Sequence, residues 1–325
     1  MIITRTPFRV SFAGGGSDLP SFYQETEGCV LSTTINKYFY LSVRPCFNTD
    51  DIVLKYSEIE TAQRIEDIQH PIFKSVLGDL GLQGVEIVAM PDIPSGMGLG
   101  SSSSFTVGLF HALHAYQGRQ VSKETLAQLA CETELKKLAL LGGKQDQYAA
   151  AYGGLNFITF YPDDSVKVEP VQCSPDVRKA LADNLLMFYV GGDHFSGVIH
   201  KEQDKGMKEQ DKRDNVKRMA ALAREMRDAL ERGSIDDVGE MLHEGWRLKR
   251  TLASAISNEG IDHYYEMGLE HGATGGKLLG AGGGGFILFY CPLEKQQCLR
   301  EAFAQLKEIP FNFDTEGSKV LYNMA

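Results

Sequence analysis

The sequence predicts an α+β fold in two lobes, and three observations predict it. β-Branched and aromatic runs fill the first ninety residues; apolar residues then recur at helical spacing from 105 to 138; and a second helical block at 216–271 is flanked by continuous apolar runs at 185–190 and 286–291. At 325 residues the chain can bury two substantial cores. The expected division is an N-terminal lobe at 1–165 and a C-terminal lobe at 166–325, with the boundary at the turn Pro162-Asp163-Asp164.

Taken in order, residues 2–5 and 8–12 read as extended segments separated by Pro7, which discourages helix at the residue before it. Gly14-Gly15-Gly16-Ser17-Asp18 is too rich in glycine for a regular element, and residues 19–23 begin a short helix. Strands follow at 29–35, 38–45, 52–56 and 85–90. Past a loop at 94–104 the chain turns helical. Phe105, Leu109 and Leu113 share a face, and Leu126, Ala130 and Leu138 belong to a segment that starts after Ser122. Gly142-Gly143 breaks it, residues 145–151 form a short helix and residues 155–161 a strand. In the second half Val216, Met219, Ala223, Met226 and Leu230 recur at helical spacing, so the many charges among them form a solvated face. Helices are expected at 235–252 and 261–271, before a glycine-rich turn at 277–285 and the strand at 286–291.

Hydrophobic residues make up 43% of the chain and charged residues 23%, and no run approaches the roughly 20 apolar residues that a bilayer crossing needs. The N-terminus lacks the pattern of a signal peptide, so a cytoplasmic location is expected. A formal net charge of −10 argues against nucleic acid and acidic membrane surfaces as partners and favours a small molecule; a homodimer stays open. Cys29, Cys46, Cys131, Cys173, Cys291 and Cys298 form no C-x-x-C pair and show no zinc spacing, so buried free thiols are expected.

The stretch Pro94-Ser95-Gly96-Met97-Gly98-Leu99-Gly100-Ser101-Ser102-Ser103-Ser104 runs straight into a helical segment. Small residues let backbone approach an anion, and the unpaired amides of a helix's first turn point at it with the positive end of the macrodipole behind them. Read alone, the stretch is equally a helix start with serine caps. Two more glycine-rich turns, at 14–18 and 277–285, are also fed by apolar strands, and glycine is usually kept where a side chain would collide. The order Thr6-Pro7-Phe8-Arg9-Val10-Ser11-Phe12-Ala13-Gly14-Gly15-Gly16-Ser17-Asp18, then the loop at 94–104, then the turn at 277–285 resembles the three motifs of the GHMP kinases. That family includes galactokinase, homoserine kinase, mevalonate kinase and phosphomevalonate kinase, and the resemblance spans essentially the whole chain. Galactokinases usually carry Glu-His where this chain has Gly15-Gly16. The turn is more similar to that of kinases acting on an anomeric hydroxyl, the heptose 7-phosphate kinases and the kinase part of fucokinase. That likeness extends to residues 143–154 and to Ile256-Ser257-Asn258.

The resemblance implies a ribosomal-protein-S5-like N-terminal lobe, a ferredoxin-like C-terminal lobe, and ATP and Mg2+ as cofactors. The implied reaction is phosphorylation of a sugar or sugar phosphate at its anomeric hydroxyl, with heptose 7-phosphate giving the 1,7-bisphosphate as the leading expectation. Pro94, Gly96, Gly98, Leu99, Gly100, Ser101, Ser102 and Ser103 are the expected ATP-binding residues; no Gly-Lys-Ser/Thr ends this loop, so it is not a Walker A P-loop. Gly15, Gly16, Ser17, Asp18 and Gly283 are the expected substrate-binding residues, with Asp18 either accepting from sugar hydroxyls or capping the helix that begins at Leu19. Magnesium wants hard oxygen ligands and keeps several waters, and Ser102 and Glu134 are the candidates, whereas Glu132 falls out of register.

Asp146 corresponds to the family's catalytic aspartate and Arg9 to the basic residue of its first motif. A guanidinium beside Asp146 would favour the carboxylate and stabilise charge on a transferring phosphoryl group. Whether Asp146 acts as base or as orienting group stays open. For a second phosphate the available cations are Lys144, His194, Lys201, Lys249 and Arg250, which form no tight cluster in the sequence. The rival readings are a kinase for a fucose- or galactose-like sugar and a catalytically silent ATP and sugar sensor; retention of Arg9, Ser102, Glu134 and Asp146 argues against the sensor. A dinucleotide-binding dehydrogenase fares worse, because neither turn gives G-x-G-x-x-G followed by an acidic residue about 20 positions on in a βαβ setting.

Overall fold

A computed structural model describes residues 1–47, 50–192 and 196–324; His194 lies outside them. Two sheets organise the chain. The strands Ile2–Ala13 and Gly28–Pro45 pair antiparallel from Ile2 opposite Val43 to Ala13 opposite Leu31. Each is expected as two segments, and each is one strand. Pro7 is accommodated because the register shifts between Pro7 and Phe8, where the ladder is already interrupted.

This pair is extended by Val85–Pro91, Ile52–Lys55 and Ile59–Ala62 on one side, and by Leu155–Phe160 with Val166–Pro170 along the other half of Gly28–Pro45. Phe313–Asp314 and Lys319–Asn323 come back from the far end of the chain to pair with Gly28–Pro45 and Ile2–Ala13. The first sheet therefore holds residues from both sides of the expected 165/166 division. The second sheet is antiparallel, in the order Lys307–Glu308, Leu185–Gly192, Gly284–Tyr290, Gly275–Leu278. Every residue of Gly284–Tyr290 is buried, which is why that strand reads as an unbroken apolar run.

The helix Ser101–Tyr116 lies across the first two strands, and Lys123–Cys131 and Gln145–Tyr152 pack against it. Ser122 caps Lys123–Cys131 by accepting from the Thr125 N–H at 3.0 Å. After Cys131 the helix widens into a π-helical turn over Glu132–Lys137, with the Leu138 N–H donating to the Thr133 carbonyl, five residues back, at 3.0 Å. In Gln210–Glu231, Val216, Met219, Ala223, Met226 and Leu230 are all buried, as the spacing predicts, and Val216, Met219, Met226 and Leu230 contribute about 1.5–3 kcal/mol apiece. Val216 and Met219 join the core around the second sheet, while Ala223, Met226 and Leu230 join the core around the first, so one helix ties both together.

Helices Pro71–Leu80 and Pro175–Asp183 are additions to the expected set. Of the thiols, Cys29, Cys131 and Cys291 are buried, Cys46 and Cys173 are half-buried, and Cys298 is exposed, so burial holds for only part of the expected set. Among the described residues no helix is long and apolar enough to cross a membrane.

Candidate active site

The strand Val85–Pro91 feeds the 94–104 loop, and Gly100, in the left-handed region with φ 73°, starts the helix Ser101–Tyr116. Ser101 Oγ accepts from the Gly96 N–H at 3.2 Å and closes the loop, while the helix's first amides have no carbonyl one turn earlier to bond. Gly98 has φ 83°, and a Cβ there would lie 2.6 Å from the Leu279 carbonyl. The loop and the turn of residues 280–285 therefore meet backbone to backbone, an approach that side chains would forbid.

Arg9 sits beneath this loop on the first strand. Its Nε and Nη2 donate to Asp146 Oδ1 and Oδ2 at 2.7 and 2.8 Å, a bidentate pair, and its Nη1 donates to the Gly98 carbonyl at 2.6 Å. The Arg9 main-chain N–H donates to the Leu99 carbonyl at 3.0 Å. Arg9 is buried, whereas the Asp146 side chain, in the first turn of Gln145–Tyr152, keeps 23% of its surface exposed.

Glu134 is brought inward by the π-helical turn and is only 4% exposed. Its carboxylate accepts from Thr106 Oγ1 at 2.6 Å, Ser103 Oγ at 2.8 Å and Gln147 Nε2 at 2.5 Å, with Ser102 Oγ at 3.4 Å. Burial pushes this carboxyl above the usual range; the three donors oppose that, and the negative Asp146 adds to it. A buried carboxylate with neutral donors, beside the exposed hydroxyl of Ser102, fits a hard divalent cation. Ser102 and Glu134 would hold Mg2+, which when bound neutralises phosphate oxygens of a nucleotide. Glu132 instead lies 3.4 Å from Lys136 on the outer face.

Asp18 does not cap the short helix that follows it, Pro20–Tyr23, whose N-cap is Leu19 without a side-chain bond. Its Oδ1 accepts from the Gly16 N–H at 2.9 Å and its Oδ2 from Gln145 Nε2 at 3.0 Å, with the Gln145 N–H at 3.4 Å. Burial raises this carboxyl, and the charge of Asp146 raises it further. A Cβ at Gly143 would overlap the Asp18 carboxylate, so glycine lets that loop close over it.

Arg9, Asp18, Glu134 and Asp146 line one cavity of about 320 Å³ together with Gly15, Gly16, Gly96, Gly98, Gly100, Ser101, Ser102 and Ser103. Four expected residues lie off its wall. Pro94 is exposed outside it, and Leu99 is buried in the core. Ser17 turns inward, its hydroxyl 2.7 Å from the Gly14 carbonyl and accepting from the Cys29 N–H at 3.0 Å. Gly283 donates its N–H to the Ile256 carbonyl at 3.0 Å, and Gly280, Ala281, Gly282 and Gly284 form the wall in its place.

Of the expected cations, Lys249 lines the cavity. Lys144 pairs with Asp164 and lies 4.8 Å from the Tyr23 ring centre, Arg250 pairs with Asp262 at 2.9 Å, and Lys201 is exposed. The cavity also takes in Ser11, Gln145, Gln147, His200, Gln203 and Lys277, none of them singled out from sequence. Gln145 and Gln147 flank Asp146, and Lys277 opens the last glycine-rich turn, so adjacency was the available signal. Among the described residues Ser11 Oγ, Gln145 Oε1, Gln147 Oε1 and His200 Nδ1 are buried and have no partner, which suits a wall that meets a polar ligand. Burial presses His200 toward its neutral form, against the pull of Asp18 and Asp146.

Residues 65–154 match the GHMP kinases N terminal domain and residues 226–308 match the GHMP kinases C terminal domain. The D-glycero-alpha-D-manno-heptose 7-phosphate kinase of Campylobacter jejuni is 29% identical, over 98% of each chain. A galactokinase of Pyrococcus furiosus is 25% identical, over 93% of this chain and 92% of its own. The crystal structure of a D-glycero-D-manno-heptose 1-phosphate kinase from Bacteroides thetaiotaomicron superposes with a TM-score of 0.81 at 24% identity, over 100% of both chains. With both family domains present in order and the fold matched end to end, the chain belongs to the GHMP kinase family.

Proposed function

We propose that this chain transfers the γ-phosphoryl group of ATP to the anomeric hydroxyl of D-glycero-D-manno-heptose 7-phosphate, giving the 1,7-bisphosphate. The observation that carries the reading is the Arg9–Asp146 pair, set in one cavity between the 94–104 loop and the Asp18 turn. Phosphoryl transfer asks a protein for alignment and charge neutralisation more than for covalent chemistry. The loop amides at 98–103 hold the nucleotide's phosphates, and Asp18 and Gln145 accept from sugar hydroxyls. Ser102 and Glu134 hold Mg2+.

Asp146 accepts or orients the proton of the attacking hydroxyl, and Arg9 fixes the carboxylate in place. The acceptor oxygen bonds to the γ-phosphorus as the bond to the β–γ bridging oxygen breaks; ADP leaves with that electron pair, and the hydroxyl proton passes to Asp146 or solvent. Similarity to the Campylobacter kinase over nearly the whole of both chains supports the phosphorylated heptose as acceptor. The reading places the protein in the cytoplasm with a small-molecule sugar phosphate as its partner.

Purified protein with MgATP is expected to release ADP when given heptose 7-phosphates, and a panel that includes neutral heptose, fucose and galactose ranks the acceptors. ADP release no faster than the sugar-free rate with every member contradicts the reading.

A further inference from the structure

Lys249 and Lys277 are buried on the cavity wall, and among the described residues neither has a counter-ion. Lys249 Nζ donates to the Gly280 carbonyl and lies 3.3 Å from the Leu278 carbonyl, with the Trp246 ring centre 5.9 Å away. Lys277 Nζ donates to the Phe12 carbonyl at 3.0 Å. Among the described residues neither has a carboxylate within ion-pair distance. The charges that act on them are like charges: Arg9 on Lys249, and Lys249 with Arg9 on Lys277. Arg9 itself is matched by Asp146, so the two lysines are the unbalanced pair.

Burying an ammonium without a partner is costly, and such groups neutralise or find an anion. Burial first and the neighbouring cations second press Lys249 down to about 7 and Lys277 well below its ordinary value. An ammonium has three donors. As ammoniums, Lys249 uses two on main-chain carbonyls and Lys277 one, which leaves three N–H groups without a hydrogen bond to the described residues.

We propose that Lys249 and Lys277 form a phosphate subsite in which a dianionic phosphate group of the acceptor or of the transferring phosphoryl supplies the missing counter-charge. The proposal rests on the kinase reading above for its ligands, though not for its geometry. The Gly280 carbonyl that holds Lys249 belongs to the turn packed on Gly98, so the subsite adjoins the nucleotide loop.

The test compares wild type with Lys249→Met, Lys277→Met and the double variant, using heptose 7-phosphate and neutral heptose as acceptors. If the acceptor's own phosphate occupies the subsite, the ratio of kcat/KM for the phosphorylated over the neutral sugar falls at least tenfold. If the transferring phosphoryl occupies it, kcat falls at least tenfold with both sugars and the ratio stays. Folded variants that keep both the ratio and kcat of wild type overturn the subsite. Melting temperatures with and without inorganic phosphate give a readout independent of turnover. Phosphate is expected to raise the wild-type value by more than that of the double variant, and equal shifts overturn the subsite even if wild type phosphorylates no sugar. That last outcome separates failure of the subsite from failure of the kinase reading.

Discussion

Asp146 and Glu134 stand twelve residues apart in the chain and line the same cavity, yet their surroundings are opposite in kind. Asp146 meets a guanidinium on both oxygens and keeps an open side toward the cavity. Glu134 meets only hydroxyls and an amide and is almost wholly buried. A carboxylate whose charge is already matched is free to handle a proton on a substrate. One whose charge is unmatched, and whose carboxyl burial therefore raises, is suited to a cation that arrives with the nucleotide. On the proposed reading, two acidic residues twelve positions apart divide the work between acceptor and metal.

The largest break in this comparison is Asp146→Asn. The amide accepts from Arg9 on one side only and leaves that buried guanidinium without its counter-charge, so the melting temperature should fall by several degrees, while kcat of the folded variant falls by about 10²–10⁴. Unchanged turnover would remove Asp146 from the chemistry. Gly98→Ala should cost about 1–3 kcal/mol, since its φ of 83° is unfavourable for alanine and its Cβ would press on the Leu279 carbonyl. Because the Gly98 carbonyl accepts from Arg9, this change should reach the Asp146 side first; urea unfolding and the Mg2+ dependence of kcat separate the two.

Glu134→Gln tests the other side. The Mg2+ concentration for half-maximal activity should rise about tenfold, about 1.4 kcal/mol. Stability should move in a defined direction as well. In the fold Glu134 holds its proton to higher pH than the unfolded value near 4.5, so its contribution to stability is full below that value and fades as pH rises through the raised one. Without Mg2+, the variant's melting temperature relative to wild type should therefore increase from pH 4 to pH 8, and a decrease would show that Glu134 is not destabilised by burial. Smallest is Lys144→Met, which removes the bonds of a buried ammonium to the half-exposed Asp164 and should cost about 1 kcal/mol with kcat unaltered. A large loss of turnover would mean that Lys144 reaches the cavity.

Much of this was legible in the chain because it is local. Strand and helix periods located the two long strands and the helix Gln210–Glu231, and the loop chemistry of residues 94–104 pointed to an anion. The return of Lys319–Asn323 to the edge beside Ile2–Ala13 is non-local, and Ile59–Ala62 and Val166–Pro170 are short strands that alternate with charged residues and lack the apolar run by which Ile52–Lys55 is read. Motif order pointed to Arg9, Asp18 and Asp146, and the twelve-residue spacing to Asp146 pointed to Glu134, all of which line the cavity, whereas the π-helical turn that carries Glu134 inward has no signature in composition. Lys249 and Lys277 are separated by a helix, a turn and a strand, so only the folded chain shows that they share a wall. Ser17 and Gly283 belong to the right motifs but face the backbone that supports them.

The most direct test of the central claim is phosphorus NMR on the product formed from MgATP and D-glycero-D-manno-heptose 7-phosphate. Wild type should yield a second phosphorus signal coupled to the anomeric proton, and the signal should be lost with Asp146→Asn. A wild-type product without phosphorus at the anomeric position, or the same product at the same rate from Asp146→Asn, would contradict the account.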